Sequence, residues 1–308
     1  MSRFESVQAL VGNTPLVRVG QKELPSGVKL YAKLELWNPG GSVKDRIGVS
    51  MIRAAEAAGI LRPGSTIVAA TAANTGIGIA LAALGRGYQV VFTVPAKFSA
   101  EKQAVLRALG AIIVNTPTAE GMAGATRAAA ELRDATAGAV TLDQFTDLAN
   151  PDAHYRSTGP EIYRDMDGQV DLFVAGAGSG GTFTGVARHL KEKLPQLRTV
   201  LVDPHGSTMG GGPCHPYAIE GIGNDFVPEV MDLGLVDQVV KVSDADARAG
   251  ARRLASVEGV LGGLSSGAAY HAALEVGRGL ERGNLVTVFP DRGDRYVSKG
   301  IYDAPEAS

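Results

Sequence analysis

Lys44 stands in the run Asn38-Pro39-Gly40-Gly41-Ser42-Val43-Lys44-Asp45-Arg46. A lysine just after a Gly-Gly turn can be held pointing into a cleft, and a Schiff-base lysine needs that fixing plus some desolvation to lower its pKa. The plain alternative is a solvated lysine on a surface turn. A second run, Gly176-Ala177-Gly178-Ser179-Gly180-Gly181-Thr182, lies between a strand and a helix. Its bare backbone N–H groups and the helix N-terminus make a phosphate cradle, to which the Thr182 hydroxyl adds a donor. The glycine spacing also resembles a dinucleotide fingerprint. It falls late in the chain, however, and no acidic residue follows on a second strand at the expected place. A purely structural turn is the third option.

Two further runs have the same form. Thr71-Ala72-Ala73-Asn74-Thr75-Gly76 joins a strand to a helix N-terminus whose free N–H groups suit a carboxylate, with Asn74 offering an amide to a cofactor oxygen. The alternative is an ordinary N-cap at Asn74 or Thr75. In Gly262-Gly263-Leu264-Ser265-Ser266-Gly267-Ala268, Ser266 reads as the cap of the next helix and Ser265 as a hydroxyl able to face a ligand. The histidines (His154, His189, His205, His215, His271) show no ligand spacing, so they read as structural or surface residues with no metal site. No GxSxG elbow supports a serine hydrolase.

Alternating strands and helices must position these runs. Strands are expected at Thr66–Ala70, Gln89–Val94, Ala111–Val114, Asp171–Ala175, Thr199–Val202 and Leu285–Phe289. Helices are expected from about Thr75 to Leu84, from a Ser99 cap to Gly110, over Thr182–Lys191, from a Ser243/Asp246 capping signal to about Val257, and over Ser266–Arg278. Such alternation implies wrapped α/β lobes with mainly parallel sheets. The chain has 308 residues, more than one compact core usually holds, and polar and Pro residues cluster at Asn150–Pro151. The expected division is a larger lobe of 1–40 plus 150–308 and a smaller, mobile substrate-loop lobe of 41–149.

Bulk properties exclude several classes. A formal net charge of −2 offers no basic field for nucleic acid or an anionic membrane. No apolar run reaches the roughly 18 residues needed to span a bilayer, and the polar start, Met1 to Ser6, does not lead into a signal-peptide core. Cys214 is the one cysteine, so no internal disulfide forms and a cytoplasmic location fits.

In this order the motifs resemble the cysteine synthase and cystathionine β-synthase family of fold-type II pyridoxal-phosphate enzymes, whose fold is tryptophan synthase β-like. The match runs from Gly12-Asn13-Thr14-Pro15-Leu16 to Pro290-Asp291-Arg292-Gly293-Asp294-Arg295-Tyr296. It takes in Gln144-Phe145, Asn150-Pro151, Thr158-Gly159-Pro160-Glu161 and Glu220-Gly221-Ile222-Gly223. The resemblance implies a transferase or lyase that replaces the β-substituent of O-acetyl-L-serine or L-serine with a thiol. Cystathionine would form from homocysteine, or cysteine from sulfide. It implies that Lys44 carries pyridoxal 5'-phosphate as a Schiff base. Gly178, Ser179, Gly180, Gly181 and Thr182 would hold its phosphate, Asn74 would bond the ring hydroxyl oxygen, and Ser265 would meet the ring nitrogen. Thr71, Ala72, Ala73, Thr75 and Gln144 would grip the substrate carboxylate, while Gly221 and Ile222 would face the bound amino acid. A homodimer acting on small amino-acid substrates is implied, with neither a haem-binding extension nor a regulatory domain pair.

The sequence also departs from the family. A Thr-Ser-Gly-Asn-Thr-Gly substrate loop is usual; here Ala72 lacks the hydroxyl, as in some bacterial O-acetylserine-dependent cystathionine synthases, and Ala73 adds a methyl. A Cβ there is expected to crowd the backbone or strain the turn. The run Ile219–Pro228 looks more like the cystathionine synthase version, since sulfide-using relatives tend to have small residues where Asn224 and Asp225 stand. Asp225 either binds the amino group of homocysteine or caps a turn. The Gly206–Pro216 tract reads as a flexible rim. The Ala72-Ala73 loop keeps open replacement by a nitrogen or other nucleophile, and a serine/threonine dehydratase is a further reading. A non-catalytic scaffold and a nicotinamide-binding oxidoreductase are the readings from other classes.

Overall fold

The computed structural model describes residues 3–71, 73–97 and 100–303. The strands are β1 (Leu16–Val19), β2 (Gly27–Leu34), β3 (Thr66–Ala70), β4 (Gln89–Pro95), β5 (Ile112–Thr116), β6 (Ala139–Thr141), β7 (Leu172–Gly176), β8 (Arg198–Pro204), β9 (Gln238–Val242) and β10 (Arg282–Phe289). The helices are α1 (Lys44–Ala57), α2 (Asn74–Ala83), α3 (Ala100–Ala108), α4 (Gly121–Ala135), α5 (Ala149–Ala153), α6 (Gly159–Asp165), α7 (Gly181–Lys193), α8 (Asp244–Arg253) and α9 (Leu264–Arg278). The Ser99 cap expected for α3 lies outside the described residues.

The chain divides into two compact units, one comprising the segment up to Val11 with Asn38–Asn150, the other Gly12–Trp37 with Pro151–Ser308. Trp37, the only tryptophan in the sequence, ends the first segment of the larger unit and is 65% exposed.

The smaller unit holds a sheet in the order β5-β4-β3-β6, parallel throughout. The interior strands β3 and β4 are almost wholly buried, whereas the edge strands β5 and β6 are more exposed. A parallel sheet covered on both faces requires apolar runs in its interior strands, and Thr66-Ile-Val-Ala-Ala and Val90-Val-Phe-Thr-Val meet that need. Helix α4 covers one face through Val68, Val91 and Ala129, and the buried Thr93 hydroxyl donates to the Ala125 carbonyl at 2.7 Å.

The larger unit holds six strands in the order β1-β2-β10-β7-β8-β9. All neighbours are parallel except β1 with β2. Alternate residues of its strands enter two different cores. Val174, Val200 and Leu285 join one, while Phe173, Leu201 and Val286 join the other. The side-chain period of two sends successive residues to opposite faces, so this sheet too is covered on both sides.

Candidate active site

In the smaller unit the chain turns at Asn38–Gly41, where the Gly41 N–H donates to the Asn38 carbonyl at 2.7 Å with Gly41 at φ +79°. The Asp45 carboxylate accepts from the Gly40 N–H at 2.5 Å, and the Ser42 hydroxyl accepts from the Lys44 N–H at 3.2 Å. These bonds fix the entry to α1, whose first residue is the half-buried Lys44. Lys44 is thus part of a helix and not of a solvated turn.

Helix α1 crosses α2 backbone to backbone. A Cβ at Gly48 would overlap the Gly78 carbonyl, and a Cβ at Gly78 would overlap the carbonyl of Lys44 itself. Asn74, the first residue of α2, lies one turn before Gly78. The crossing therefore holds the Lys44 and Asn74 ends of the two helices close together. Sequence reasoning did not single out Gly48 or Gly78. Their signal was a glycine inside a helix, which disfavours helix by about 1 kcal/mol relative to Ala and so invites a packing reason.

Asn74 is not the N-cap that was weighed; Ala73 is, and it makes no side-chain cap bond. Nor does Ala73 strain the loop. Its backbone sits at φ −118°, ψ −161°, open to any residue, and its side chain is exposed. The buried Thr71 hydroxyl accepts from the Ala73 N–H at 3.3 Å, and the buried Thr75 hydroxyl donates to Gln144 Oε1 at 2.8 Å. Gln144 is placed in turn by its carbonyl, which accepts from Asn150 Nδ2 at 2.7 Å. Thr71, Ala73, Asn74, Thr75 and Gln144 thus gather at the N-terminus of α2. Ala72 lies outside the described residues.

In the larger unit the glycine run links β7 to α7. Gly180, at φ +89°, is the N-cap of α7 and makes no side-chain cap bond. The run lies tight against a second segment. A Cβ at Gly176 would come 2.6 Å from Ile222 Cγ2, and one at Gly178 would overlap the Gly221 carbonyl. A Cβ at Gly180 would come 2.5 Å from Met231 Cβ. The Gly223 N–H donates to the Ala177 carbonyl at 2.8 Å, and Asn224 Nδ2 donates to the Gly178 carbonyl at 2.5 Å. Ser179 and Ile222 are buried, while Gly221 (φ +89°) is exposed.

Thr182 shares a hydrogen bond of 3.2 Å with Nε2 of His154, whose Nδ1 pairs with the Thr158 hydroxyl at 2.9 Å. His154 is fully buried in a π-helical turn, His154–Thr158. It is structural, as its lack of ligand spacing implied, but it also orients a predicted cofactor residue. A His with Thr four positions on was the available signal.

Ser265 is buried in the first turn of α9, and a Cβ built at Gly221 would be 3.9 Å from its hydroxyl. Ser266 does not cap α9. The cap is Gly263, and the Ser266 hydroxyl is buried inside the helix with no hydrogen-bond partner. Helix α9 crosses α8 as α1 crosses α2, for a Cβ at Gly250 would overlap the Gly267 carbonyl.

Asp225 is exposed, and the bonds that hold its turn run through Asn224. Burial, with the Asp203 and Asp225 carboxylates adding to it, raises the nearby Tyr217 phenol above its ordinary value. The first half of the Gly206–Pro216 tract is tied down, since the Gly210 N–H donates to Asp203 Oδ2 at 2.9 Å and Ser207 is fully buried. Cys214, in its second half, is exposed. Among the described residues no helix is long and apolar enough to cross a membrane, and no side-chain cluster is suited to a metal.

The fold and these two sets of residues define a fold-type II pyridoxal-phosphate enzyme. Residues 7–291 match the model of the family described as pyridoxal-phosphate dependent enzyme, and the chain belongs to that family. It is 47% identical to the O-acetylserine dependent cystathionine beta-synthase of Bacillus subtilis (strain 168), over 98% of this chain and 99% of that one. It is 44% identical to a cysteine synthase of Helicobacter pylori (strain J99 / ATCC 700824), over 96% and 98% of the two chains. The crystal structure of O-acetylserine dependent cystathionine beta-synthase from Helicobacter pylori superposes with a TM-score of 0.91 at 43% identity, covering 98% of this chain and 100% of that one.

The larger unit suits the cofactor's phosphate. Between Gly176 and Gly181 the loop carries no side chain at Gly178 or Gly180 and has no room for one there, and it ends at a helix N-terminus whose N-cap, Gly180, makes no side-chain bond.

Proposed function

We propose that the protein replaces the acetoxy group of O-acetyl-L-serine with a thiol, homocysteine giving cystathionine and sulfide giving cysteine. The observation that carries this reading is the cluster at the start of α2. There the Thr71 hydroxyl accepts from the Ala73 N–H and the Thr75 hydroxyl donates to Gln144, in the same unit as the helix that begins at Lys44. The relatives point the same way, at 47% and 44% identity over nearly the whole chain.

Bound pyridoxal phosphate supplies an electron sink for the substrate Cα. The Lys44 amine takes the Cα proton as general base and returns it after the thiol has added to Cβ. Thr71, Ala72, Ala73, Thr75 and Gln144 bind and orient the substrate carboxylate at the positive end of α2. Asn74 orients the ring oxygen, Gly178 to Thr182 hold the phosphate, and Gly221 and Ile222 line the amino-acid side. The Ser265 hydroxyl is a neutral partner for the ring nitrogen, so it does not enforce the protonated ring that an Asp would, which favours elimination at Cβ over transamination. This division of labour, with substrate grip in the smaller lobe and phosphate in the larger, belongs to the same proposal.

So do a homodimer and a cytoplasmic location. The exposed Phe4, Val7 and Leu10 support a self-association surface, and a single, exposed cysteine suits a reducing compartment. Light scattering of the purified protein checks the dimer.

The deciding experiment is the visible spectrum of the purified holoenzyme before and after O-acetyl-L-serine or L-serine. The expected result is a long-wavelength change with O-acetyl-L-serine that homocysteine or sulfide discharges, the more effective thiol naming the acceptor. No change with either donor overturns the reading.

A further inference from the structure

Gly178 presents its backbone carbonyl to a side chain from a distant part of the larger unit. Asn224 Nδ2 donates to it at 2.5 Å. A trans peptide is planar, with its C=O and N–H pointing in opposite directions. Fixing the Gly178 carbonyl therefore also fixes the direction of the Ser179 N–H.

Asn224 is itself over-determined. Its N–H donates to the Ser207 hydroxyl at 3.1 Å, and that hydroxyl donates back to the Asn224 carbonyl at 3.1 Å. The Ser207 oxygen accepts a second N–H, from Met209, at 3.2 Å. This fills the one donor and two acceptor positions of a hydroxyl. Ser207 is fully buried, and its carbonyl accepts from Lys241 Nζ at 2.8 Å. The same ammonium pairs at 2.6 Å with Asp203, a fully buried carboxylate directly across the β8–β9 ladder. A half-buried lysine anchored on a buried carboxylate thus holds Ser207, Ser207 holds Asn224, and Asn224 holds the Gly178 peptide.

We infer that Asn224 is a positioning residue for the cofactor phosphate, acting through the 178–179 peptide, and that Ser207 positions Asn224. The inference rests on the reading that Gly178 to Thr182 hold that phosphate. It makes the Gly206–Pro216 tract part of the phosphate site's support. An Asn supplies both the amide donor and the short reach required. A leucine of similar size keeps the packing and loses the donor.

The test uses the full-length protein, with the cofactor removed and titrated back, and the phosphorus NMR resonance of the bound cofactor recorded. Asn224→Leu is expected to weaken cofactor binding about tenfold, the order of one lost hydrogen bond, and to shift the resonance while the apoprotein melts as before. Ser207→Ala is expected to act in the same direction by about threefold, and it carries the test if Asn224→Leu does not fold. Thr182→Val is the control for the underlying reading. If Thr182→Val weakens binding but Asn224→Leu and Ser207→Ala leave affinity and resonance unchanged, the relay is overturned and the phosphate loop stands. A lowered apoprotein melting temperature with an unmoved resonance assigns Asn224 to the fold alone and also overturns it. If Thr182→Val is silent as well, the reading of the loop falls and the relay with it.

Discussion

The α1/α2 pair of the smaller unit and the α8/α9 pair of the larger cross by the same device and put it to different use. In each, two glycines let the backbones touch, Gly48 with Gly78 and Gly250 with Gly267. At α1/α2 both helices begin with a residue assigned to the chemistry, Lys44 and Asn74, and the N-cap residues Val43 and Ala73 make no side-chain cap bond. At α8/α9 only α9 begins near such a residue, Ser265, and it too lacks a side-chain cap. Its partner α8 has a side-chain cap. The Ser243 hydroxyl accepts from the Asp246 N–H at 3.1 Å and donates to its carboxylate at 2.5 Å. The scaffold helix closes its first turn with the side chain of its N-cap residue, whereas the N-cap residues of α1, α2 and α9 make no side-chain bond.

This contrast can be broken in order of expected effect. Gly78→Ala drives a methyl into the Lys44 carbonyl, displacing both residues of the first pair. The expected loss is about 1–3 kcal/mol of stability and about 10²-fold in kcat/KM, the order that a 1 Å misplacement costs. Steady-state rates and thermal melting of the variant check it, and wild-type activity would show that the crossing does not position the site.

Gly267→Ala should cost a similar 1–3 kcal/mol. Only one site residue rides on that pair, so the activity loss should be about tenfold, the order of one displaced hydrogen bond. Equal activity losses at the two crossings would erase the distinction.

Ser243→Ala removes the scaffold cap and should cost about 1 kcal/mol with kcat/KM unchanged. The bond to Ser243 holds the Asp246 carboxyl below its ordinary value of 3.8. A depressed carboxyl contributes stability above that value and loses it as the pH falls through the lower folded value. The variant's stability advantage at neutral over acid pH should therefore shrink, which denaturant midpoints at pH 7 and pH 3 would reveal.

The smallest effect is expected from Ala73→Gly. The position needs no glycine, so the change should cost no more than about 1 kcal/mol and leave KM for O-acetyl-L-serine within about threefold, below the order of one hydrogen bond. A tenfold fall in KM would show that the Ala73 methyl obstructs the substrate.

The strands β3, β4, β5, β7, β8 and β10 were legible as short β-rich runs between helical stretches. Thr66–Ala70 was read to the residue, and the strands at 89, 171, 199 and 285 were read within a few residues of their ends. The short β1, β6 and β9 carry too little pattern to stand out, the eight-residue β2 was missed as well, and only register shows β1 to run antiparallel to β2. Helix starts failed for a chemical reason. Asn74 and Ser266 were natural caps by type, but the caps are Ala73 and Gly263, which have no side-chain acceptor to offer. The Ser243 cap was read correctly because nothing there competes with local hydrogen bonding. Individual site residues were visible as types in short runs. Of their supports, Gly48 and Gly78 lie only one helical turn from Lys44 and Asn74 but act across the α1/α2 crossing, while His154 and Ser207 lie 28 and 17 residues from Thr182 and Asn224, so all of them join only through the fold.

Trp37 gives the protein a built-in reporter. As the only indole, it makes intrinsic fluorescence a one-site signal. Standing 65% exposed at the last residue before the chain enters the smaller unit, it should emit like an indole in water and be quenched readily by iodide. Any ligand that alters the surroundings of this junction would be read there without a label, a mutation or an added probe.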